Sequence, residues 1–277
     1  MQQVPIQTAH LFPKIDRLLI ELLRSLSPEE WQSPTIAKKW TVKDIAAHLL
    51  DGNIRTLSLS RDQHRLRPNR PIDSYRDLVD YLNELNAEWV TAYKRVSHNL
   101  LIELLETTGK EYCSYIATLN PFDEAIFSVA WAGETVSKNW FHIAREYTEK
   151  FIHQQQIRDA VGKPGLIEKE LFYPFIDTFM QALPYTYRNV EAKESTIVCV
   201  TVTSDAGGSW YLVKNHGQWI LADNSSSAAH AEFSIDPDTA WRLFSKGITP
   251  SEAGKKVKLS GDEKLAMHAF QMISVMA

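Results

Sequence analysis

Apolar residues recur every three or four positions through most of the first 160 residues, and this spacing predicts amphipathic α-helices. The first predicted helix covers residues 10 to 26, with leucine and isoleucine residues on one wide face. The second follows Thr41, whose side chain can cap a helix, and runs to about Ser60. Asp44, in its first turn, favours the positive end of the helix dipole. Both helices are expected to bury their apolar faces in a core.

Two further helical stretches follow. Residues 74 to 106 are predicted to form one long helix or a kinked pair, which Gly109 terminates, and residues 112 to 133 are predicted to be mostly loop. The fourth helix is predicted from Trp140 to Gly162. Four long amphipathic helices in succession are typical of a four-helix bundle, in which metal sites are commonly built from inward-facing side chains of different helices.

From residue 195 the periodicity changes from 3.6 to 2, which predicts β-strands. Short alternating runs cover residues 196–203, 209–214, 218–223 and 230–235, and the turn residues between them indicate an antiparallel meander. A helix over 238–246, a strand over 257–260 and a last helix from 262 to about 275 complete this α+β part.

The glycine- and proline-containing stretch from Gly162 to Gly165 interrupts the helical pattern and predicts a domain boundary. We therefore predict a four-helix bundle over residues 1–165 and a smaller α+β domain with an antiparallel sheet over residues 166–277. One further helix, about 167 to 183, is expected to bridge the two.

The fourth predicted helix carries two residues that commonly ligate metals, Glu149 and His153. Four residues apart, they stack on one face and can offer a carboxylate and an imidazole to a single ion. The same stripe contains His142, Glu146 and Gln156, with apolar residues on both sides. Inside a bundle such polar atoms need partners, and a cation would satisfy several at once. The alternative is an exposed Glu/His pair on a surface helix.

Other candidate ligands are weaker. His48 lies at the edge of the apolar face of the second helix, and its spacing alone is typical of a boundary histidine bonded to a neighbour. The two cysteines, Cys113 and Cys199, are far apart and outside any CxxC motif, so neither a disulfide framework nor a thiolate zinc site is expected.

Composition narrows the class of protein. A hydrophobic content of 44% with 23% charged residues is typical of a globular protein, and a net charge of -4 without a basic cluster argues against nucleic-acid binding. The N-terminus lacks a signal-peptide pattern, and no apolar stretch is long enough to cross a bilayer. We expect a cytoplasmic protein with no membrane contact.

Three motifs in the first half carry a resemblance: LSPEEW at residues 26–31, WTVKDIAAHLL at 40–50 and EKFIHQQQIRDAVGKP at 149–164. They resemble the DinB-like metal-binding four-helix bundles, in particular the mycothiol-dependent maleylpyruvate isomerase family. In the second half, SWYLVKNHGQW, WRLFSKGITPSEA and VKLSGDEKLAMHAF are similar to the sterol-carrier-like second domain of these isomerases. The resemblance spans nearly the whole chain.

In that family a divalent ion is held by a histidine of the second helix and by a glutamate and a histidine of the fourth. The resemblance places these ligands on His48, Glu149 and His153. His142 and Glu146, on the same stripe of the fourth helix, could orient the ligands or move protons, or could serve only in packing. Three protein ligands with an open fourth position are what a catalytic zinc site requires, and nickel would accept the same ligands. Relatives often carry an acidic residue three positions after the second histidine, where this chain has Gln156.

The resemblance implies a metal-dependent isomerase or transferase. A low-molecular-weight thiol, such as mycothiol, bacillithiol or glutathione, would bind the metal as thiolate and add to an electrophilic substrate such as maleylpyruvate. A monomer or homodimer is expected. Two alternatives remain open: a noncatalytic protein that binds a structural metal and a hydrophobic ligand, and a hydrolase in which Glu146 serves as the base for a metal-bound water.

Overall fold

The structure is a computed structural model that describes residues 2–222 and 227–275 of the chain. The long helices form where the apolar residues repeat at helical spacing, and most of them bury that face; in the third helix only Val90 is buried among the described side chains. The helices are α1 (Phe12–Arg24), α2 (Val42–Thr56), α3 (Tyr75–Tyr93), α4 (His98–Ile116), α5 (Asn139–Ala160), α6 (Lys169–Met180), α7 (Leu183–Tyr187), α8 (Pro237–Phe244), α9 (Pro250–Ala253) and α10 (Glu263–Met267). A π-helical turn, Leu57–Arg61, continues α2.

Four of these helices make the predicted bundle. They are α1, α2, α4 and α5: α4 packs against both α1 and α2, and α5 does the same. The additional helix α3 packs against α2. The interior at one end of the bundle is an apolar cluster from all four bundle helices, with members such as Leu23, Ile45, Leu101 and Ile157. The predicted four-helix bundle is confirmed.

The third predicted helix was expected to be either one long helix or a kinked pair. The structure shows a pair, and its second helix ends later than predicted. α3 and α4 are separated at residues 94–97, and Ser97 caps α4 by accepting a hydrogen bond from the Leu100 amide at 3.3 Å. The prediction that Gly109 terminates the helix is wrong, since α4 continues to Ile116. A Cβ at Gly109 would lie 2.8 Å from Oδ2 of Asp16, so this glycine permits close packing of α4 against α1.

The second half contains one five-stranded sheet. Its strands are β1 (Ile197–Val202), β2 (Gly208–Asn215), β3 (Gln218–Ala222), β4 (Ala231–Ile235) and β5 (Lys258–Gly261), in the order β3-β2-β1-β4-β5. The α+β class is confirmed, but the meander is not. β4 pairs with β1 in parallel, with Val200 opposite Phe233, instead of continuing antiparallel from β3. The sheet is therefore mixed, because β1 and β4 are parallel whereas the other neighbouring strands are antiparallel.

The last elements differ in length from the predictions. The final helix is short: α10 is followed by a 3-10 turn, His268–Gln271, where one helix to about residue 275 was predicted. Asp223, the predicted end of the third strand, lies outside the described residues. Within residues 2–222 and 227–275, none of the helices is long and apolar enough to cross a membrane.

One apolar core joins the bundle to the sheet. α6 packs on α5, where the rings of Phe151 and Phe175 stack at 4.2 Å, and the same buried cluster continues to Val200 and Phe233 of the sheet. The helix α5 therefore lies between the bundle interior and the second half of the chain. The division at residue 165 stays a prediction.

Candidate metal-binding site

The start of α2 is fixed by a capping box. The Thr41 side chain accepts a hydrogen bond from the Asp44 amide at 3.4 Å, and the Asp44 carboxylate accepts one from the Thr41 amide at 3.0 Å. The predicted cap at Thr41 is confirmed. Since Asp44 is buried, the cap also anchors the helix in the bundle and sets the position of His48 on its second turn.

α5 carries Glu149 and His153 on one face, as their spacing requires. Nε2 of His153 lies 3.6 Å from Oε2 of Glu149. The His153 side chain is 13% exposed and that of Glu149 is 31% exposed, so the pair lies at the edge of the interior and not on an open surface. This excludes the alternative of a fully solvated pair.

The structure brings His48 and His153 together. Their ring centroids are 4.6 Å apart and the planes are nearly perpendicular, at 80°. The two helices run antiparallel here, because Asn53 of α2 also meets Lys150 of α5, with Nζ 2.8 Å from Oδ1. Residues distant in sequence thus present two imidazoles and a carboxylate to the same region.

The three side chains are not arranged around one common point. Across the described ranges, no group of three or more histidine, cysteine, aspartate or glutamate side chains is placed so that it could hold a metal ion. Metal ligation by His48, Glu149 and His153 therefore stays a prediction. The pairwise contacts of His153 are the geometry that supports it.

Both imidazoles can present a lone pair. Burial holds the pKa of His48 well below its usual value, and the neighbouring His153 and Arg55 lower it further, so His48 is neutral. Nδ1 of His153 lies 2.9 Å from the side-chain oxygen of Gln156. Because a carbonyl oxygen only accepts, Nδ1 donates, and the Nε2 of a neutral His153 ring keeps its lone pair on the Glu149 side.

These residues fit a divalent cation by their chemistry. Nδ1 of His48 is buried and has no hydrogen-bond partner among the described residues, which costs free energy unless another group satisfies it. Two imidazole nitrogens and one carboxylate are a donor set that zinc or nickel accepts. The contact from Gln156 to His153 is also the outer contact that usually orients a ligating histidine.

Trp40 is a site residue that the sequence analysis did not identify. Its ring lies 4.8 Å from the ring of His48 and 6.1 Å from that of His153, so it packs on both. The signal available was its place directly before the cap residue Thr41, in the WTVKD motif. That place did not reveal that the ring turns back onto α2 and α5.

Residues 12–158 match the family model described as the mycothiol maleylpyruvate isomerase N-terminal domain. This range contains Trp40, His48, Glu149 and His153. The chain belongs to this family. The expected resemblance is therefore confirmed, and the matched range covers more than half of the chain, from α1 nearly to the end of α5.

Solved structures show the same fold beyond the family domain. A crystal structure of the mycothiol-dependent maleylpyruvate isomerase superposes with a TM-score of 0.53 at 11% identity. A histidine-to-alanine mutant of that enzyme gives a TM-score of 0.54, also at 11% identity. Each alignment covers 94% of this chain and 96% of the other. No curated protein matches the chain. The isomerase fold thus extends through the sheet as well as the bundle.

His142 and Glu146 lie nearer the start of α5 than Glu149 and His153. Glu146 forms an ion pair with Arg145 and accepts a hydrogen bond from the Tyr112 hydroxyl at 3.2 Å. His142 is 11 positions before His153, about 16 Å along the helix at 1.5 Å per residue. It is buried beside Arg145, whose Nη2 lies 3.3 Å from its Nδ1. That either residue orients the metal ligands stays a prediction.

Proposed function

We propose that this protein is a metal-dependent enzyme that uses a low-molecular-weight thiol to isomerise or conjugate an electrophilic substrate. Its metal would be held by His48, Glu149 and His153. Membership of an isomerase family supports the enzyme class. The observation that carries the site assignment is the meeting of two imidazoles from different helices, 4.6 Å apart, with a carboxylate oxygen 3.6 Å from one of them.

The chain's own residues prepare the site in three ways. Burial keeps His48 neutral, so its ring nitrogen can donate a lone pair. Gln156 holds the proton of His153 on Nδ1 and so directs Nε2 toward Glu149. The Trp40 ring packs against both imidazoles.

A bound zinc or nickel ion would supply Lewis acidity that keeps a thiol deprotonated at neutral pH. The thiol would be mycothiol, bacillithiol or glutathione, and maleylpyruvate is the first substrate to test. Addition to a cis double bond, rotation and elimination give the trans isomer; a transferase would release the adduct. The site lies within residues 1–165, which we propose as the metal-binding domain, with residues 166–277 as the second domain.

Hydrolysis through a metal-bound water is less well supported. It needs a free general base, and Glu146 was the candidate. In the structure this carboxylate is already engaged by Arg145 and by the hydroxyl of Tyr112. The guanidinium holds the pKa of Glu146 below its usual value, although burial alone would raise it, which makes the carboxylate a weak base.

Metal analysis and a thiol panel test the proposal together. The purified protein is expected to contain about one zinc or nickel ion, and the His153→Ala variant to lose it while the helical content is unchanged. Conjugation of each of the three thiols to a fluorogenic electrophile, and isomerisation of maleylpyruvate, are then measured with and without a chelator. One thiol is expected to give activity that the chelator removes.

His64→Ala is the matched control, because His64 is an exposed histidine outside the site. It should keep both metal and activity. Full metal content in His153→Ala would disprove the ligand assignment, and thiol-dependent activity that survives the chelator would disprove the metal dependence.

A further inference from the structure

The loop over residues 34–41 enters two different cores. Ile36 packs against the large apolar core that includes the sheet and α8. Four positions later, Trp40 packs against the apolar cluster of the bundle, together with Ala37. One short loop thus connects the second half of the chain to the side chains around His48.

Ile36 is seated against the turn that follows α8. A Cβ added at Gly247 would lie 2.9 Å from Cδ1 and 3.3 Å from Cγ1 of Ile36, so the turn and this side chain are in close contact. The amide of Gly247 is held by the Arg242 carbonyl at 2.7 Å, which fixes the turn to α8.

α8 also holds the end of the helix that carries His153. Nη1 of Arg242 donates to Asp159 of α5 at 2.9 Å, and Nη2 donates to the other carboxylate oxygen, so the pair is bidentate. Asp238 of α8 keeps the guanidinium in place at 3.1 Å. The same short region therefore contacts both the loop that carries Trp40 and the end of α5.

The loop is braced so that a shift at Ile36 reaches Trp40. The Trp40 carbonyl accepts hydrogen bonds from the Thr35 amide at 3.1 Å and from its hydroxyl at 2.8 Å. Pro34 and Thr41 form an antiparallel bridge at the base of the loop. Ile36 and Trp40 thus lie within one loop that is closed by hydrogen bonds between its two ends.

We propose that Trp40 is a positioning residue for the His48 and His153 imidazoles, and that the second half of the chain sets its place through the contact between Gly247 and Ile36. This inference rests on the proposed function, because it assigns Trp40 to the proposed metal site. The α8 region then holds the Trp40 ring against the two imidazoles from outside the bundle.

Binding of Ni²⁺ to the metal-free full-length protein tests the role of Trp40. Outer residues that orient metal ligands typically contribute about 10–100-fold in affinity, so Trp40→Ala should weaken Ni²⁺ binding by about tenfold or more. Trp40→Phe should keep most of the affinity, because a ring still packs on the imidazoles. Ni²⁺ should quench tryptophan emission in the wild type, and Trp40→Phe should lose most of that quenching.

Ile36→Ala and Gly247→Ala test the link between the two halves from opposite sides. The first removes the seated side chain, and the second pushes on it with a methyl group. Both should weaken Ni²⁺ binding and reduce the quenching, in the same direction as Trp40→Ala but by less. Ile167→Ala is the matched control, a partly buried isoleucine of the same large core, and should change neither.

The outcomes separate the two proposals. If the wild type shows no Ni²⁺ binding that His153→Ala abolishes, the proposed function fails. If binding is normal and both Ile36→Ala and Gly247→Ala behave like the wild type, the link between the halves is wrong. Circular dichroism verifies folding of each variant, and Ile36→Val replaces Ile36→Ala if the latter unfolds.

Discussion

Lys150 and His153, about one turn apart on α5, each belong to a group of polar residues, and the two groups differ in how their polar atoms are satisfied. At the first, Nζ of Lys150 lies 2.8 Å from both Oδ1 of Asp16 and Oδ1 of Asn53, and 4.4 Å from the centre of the Tyr112 ring. At the second, the rings of His48 and His153 meet beside the Glu149 carboxylate.

The difference lies in the partners. Lys150 brings a positive charge to the negative charge of Asp16, donates to Asp16 and Asn53, and lies over the Tyr112 ring, so protein groups surround the charge of this group, the Lys150 cluster. The other group has two imidazoles and a carboxylate, which can all offer lone pairs to a cation, and it includes a buried nitrogen without a partner among the described residues. The first arrangement stabilises the fold, and the second suits a cation.

The largest expected effect is on the Lys150 cluster. Lys150→Met leaves the Asp16 carboxylate without its partner inside the bundle, and breaking a buried pair in this way costs about 3–5 kcal/mol of unfolding free energy. Chemical denaturation of the metal-free protein measures it. Lys14→Met, which removes a more exposed ion pair with Glu170, should cost no more than about 1 kcal/mol. Equal losses of unfolding free energy in the two variants would mean that the Lys150 cluster does not stabilise the fold more than an exposed ion pair does.

The next largest effect is expected on metal affinity at the group that contains His48 and His153. Gln156→Leu removes the acceptor for Nδ1 of His153 and frees the ring to turn, so metal affinity should fall about tenfold, while the metal-free protein keeps nearly its full stability. Competition with a chromophoric chelator measures the affinity. Gln155→Leu, at a buried neighbour on the same helix, is the comparison variant; a similar loss of affinity there would remove the special role of Gln156.

A smaller effect is expected where the polar stripe is satisfied by protein groups. Tyr112→Phe removes the hydroxyl that donates to Glu146, and the loss of this hydrogen bond should cost about 1 kcal/mol of unfolding free energy without changing metal affinity. Tyr115→Phe on the same helix should leave the unfolding free energy nearly unchanged, since the Tyr115 hydroxyl makes no hydrogen bond within the described ranges. A change in metal affinity in Tyr112→Phe would show that Glu146 reaches the site after all.

The smallest effect is a dependence on pH. Arg145 keeps the folded pKa of Glu146 below its unfolded value of 4.5, so the unfolded chain binds more protons between these two values. The stability that Glu146 contributes is therefore present above pH 4.5 and is lost as the pH falls through the folded pKa. In Glu146→Gln this loss is absent, and the stability difference between wild type and variant should shrink at acid pH.

Denaturation at a series of pH values measures that difference in the metal-free protein. Glu103→Gln, an exposed position on α4, is the control. A wild-type to Glu146→Gln difference that stays constant across the acid range would mean that Arg145 does not hold the carboxylate in its charged form.

Much of the fold could be predicted from local pattern. The helix starts, the cap at Thr41 and the strands between residues 196 and 260 follow from spacing and turn residues, which act over a few positions. The continuation of α4 past Gly109 could not be predicted, because it depends on how closely Asp16 of another helix approaches. The parallel pairing of β1 with β4 could not be predicted either, because an alternating pattern is compatible with both parallel and antiparallel neighbours.

For the site, the sequence by itself determined that Glu149 and His153 share one helix face, because the helical repeat fixes which residues four positions apart are neighbours. Only the tertiary structure decided that His48 faces His153, that Trp40 covers both rings, and that Lys150 is neutralised by Asp16. Those contacts join residues of different helices and loops, and their distances depend on how the elements pack rather than on the spacing within any one of them.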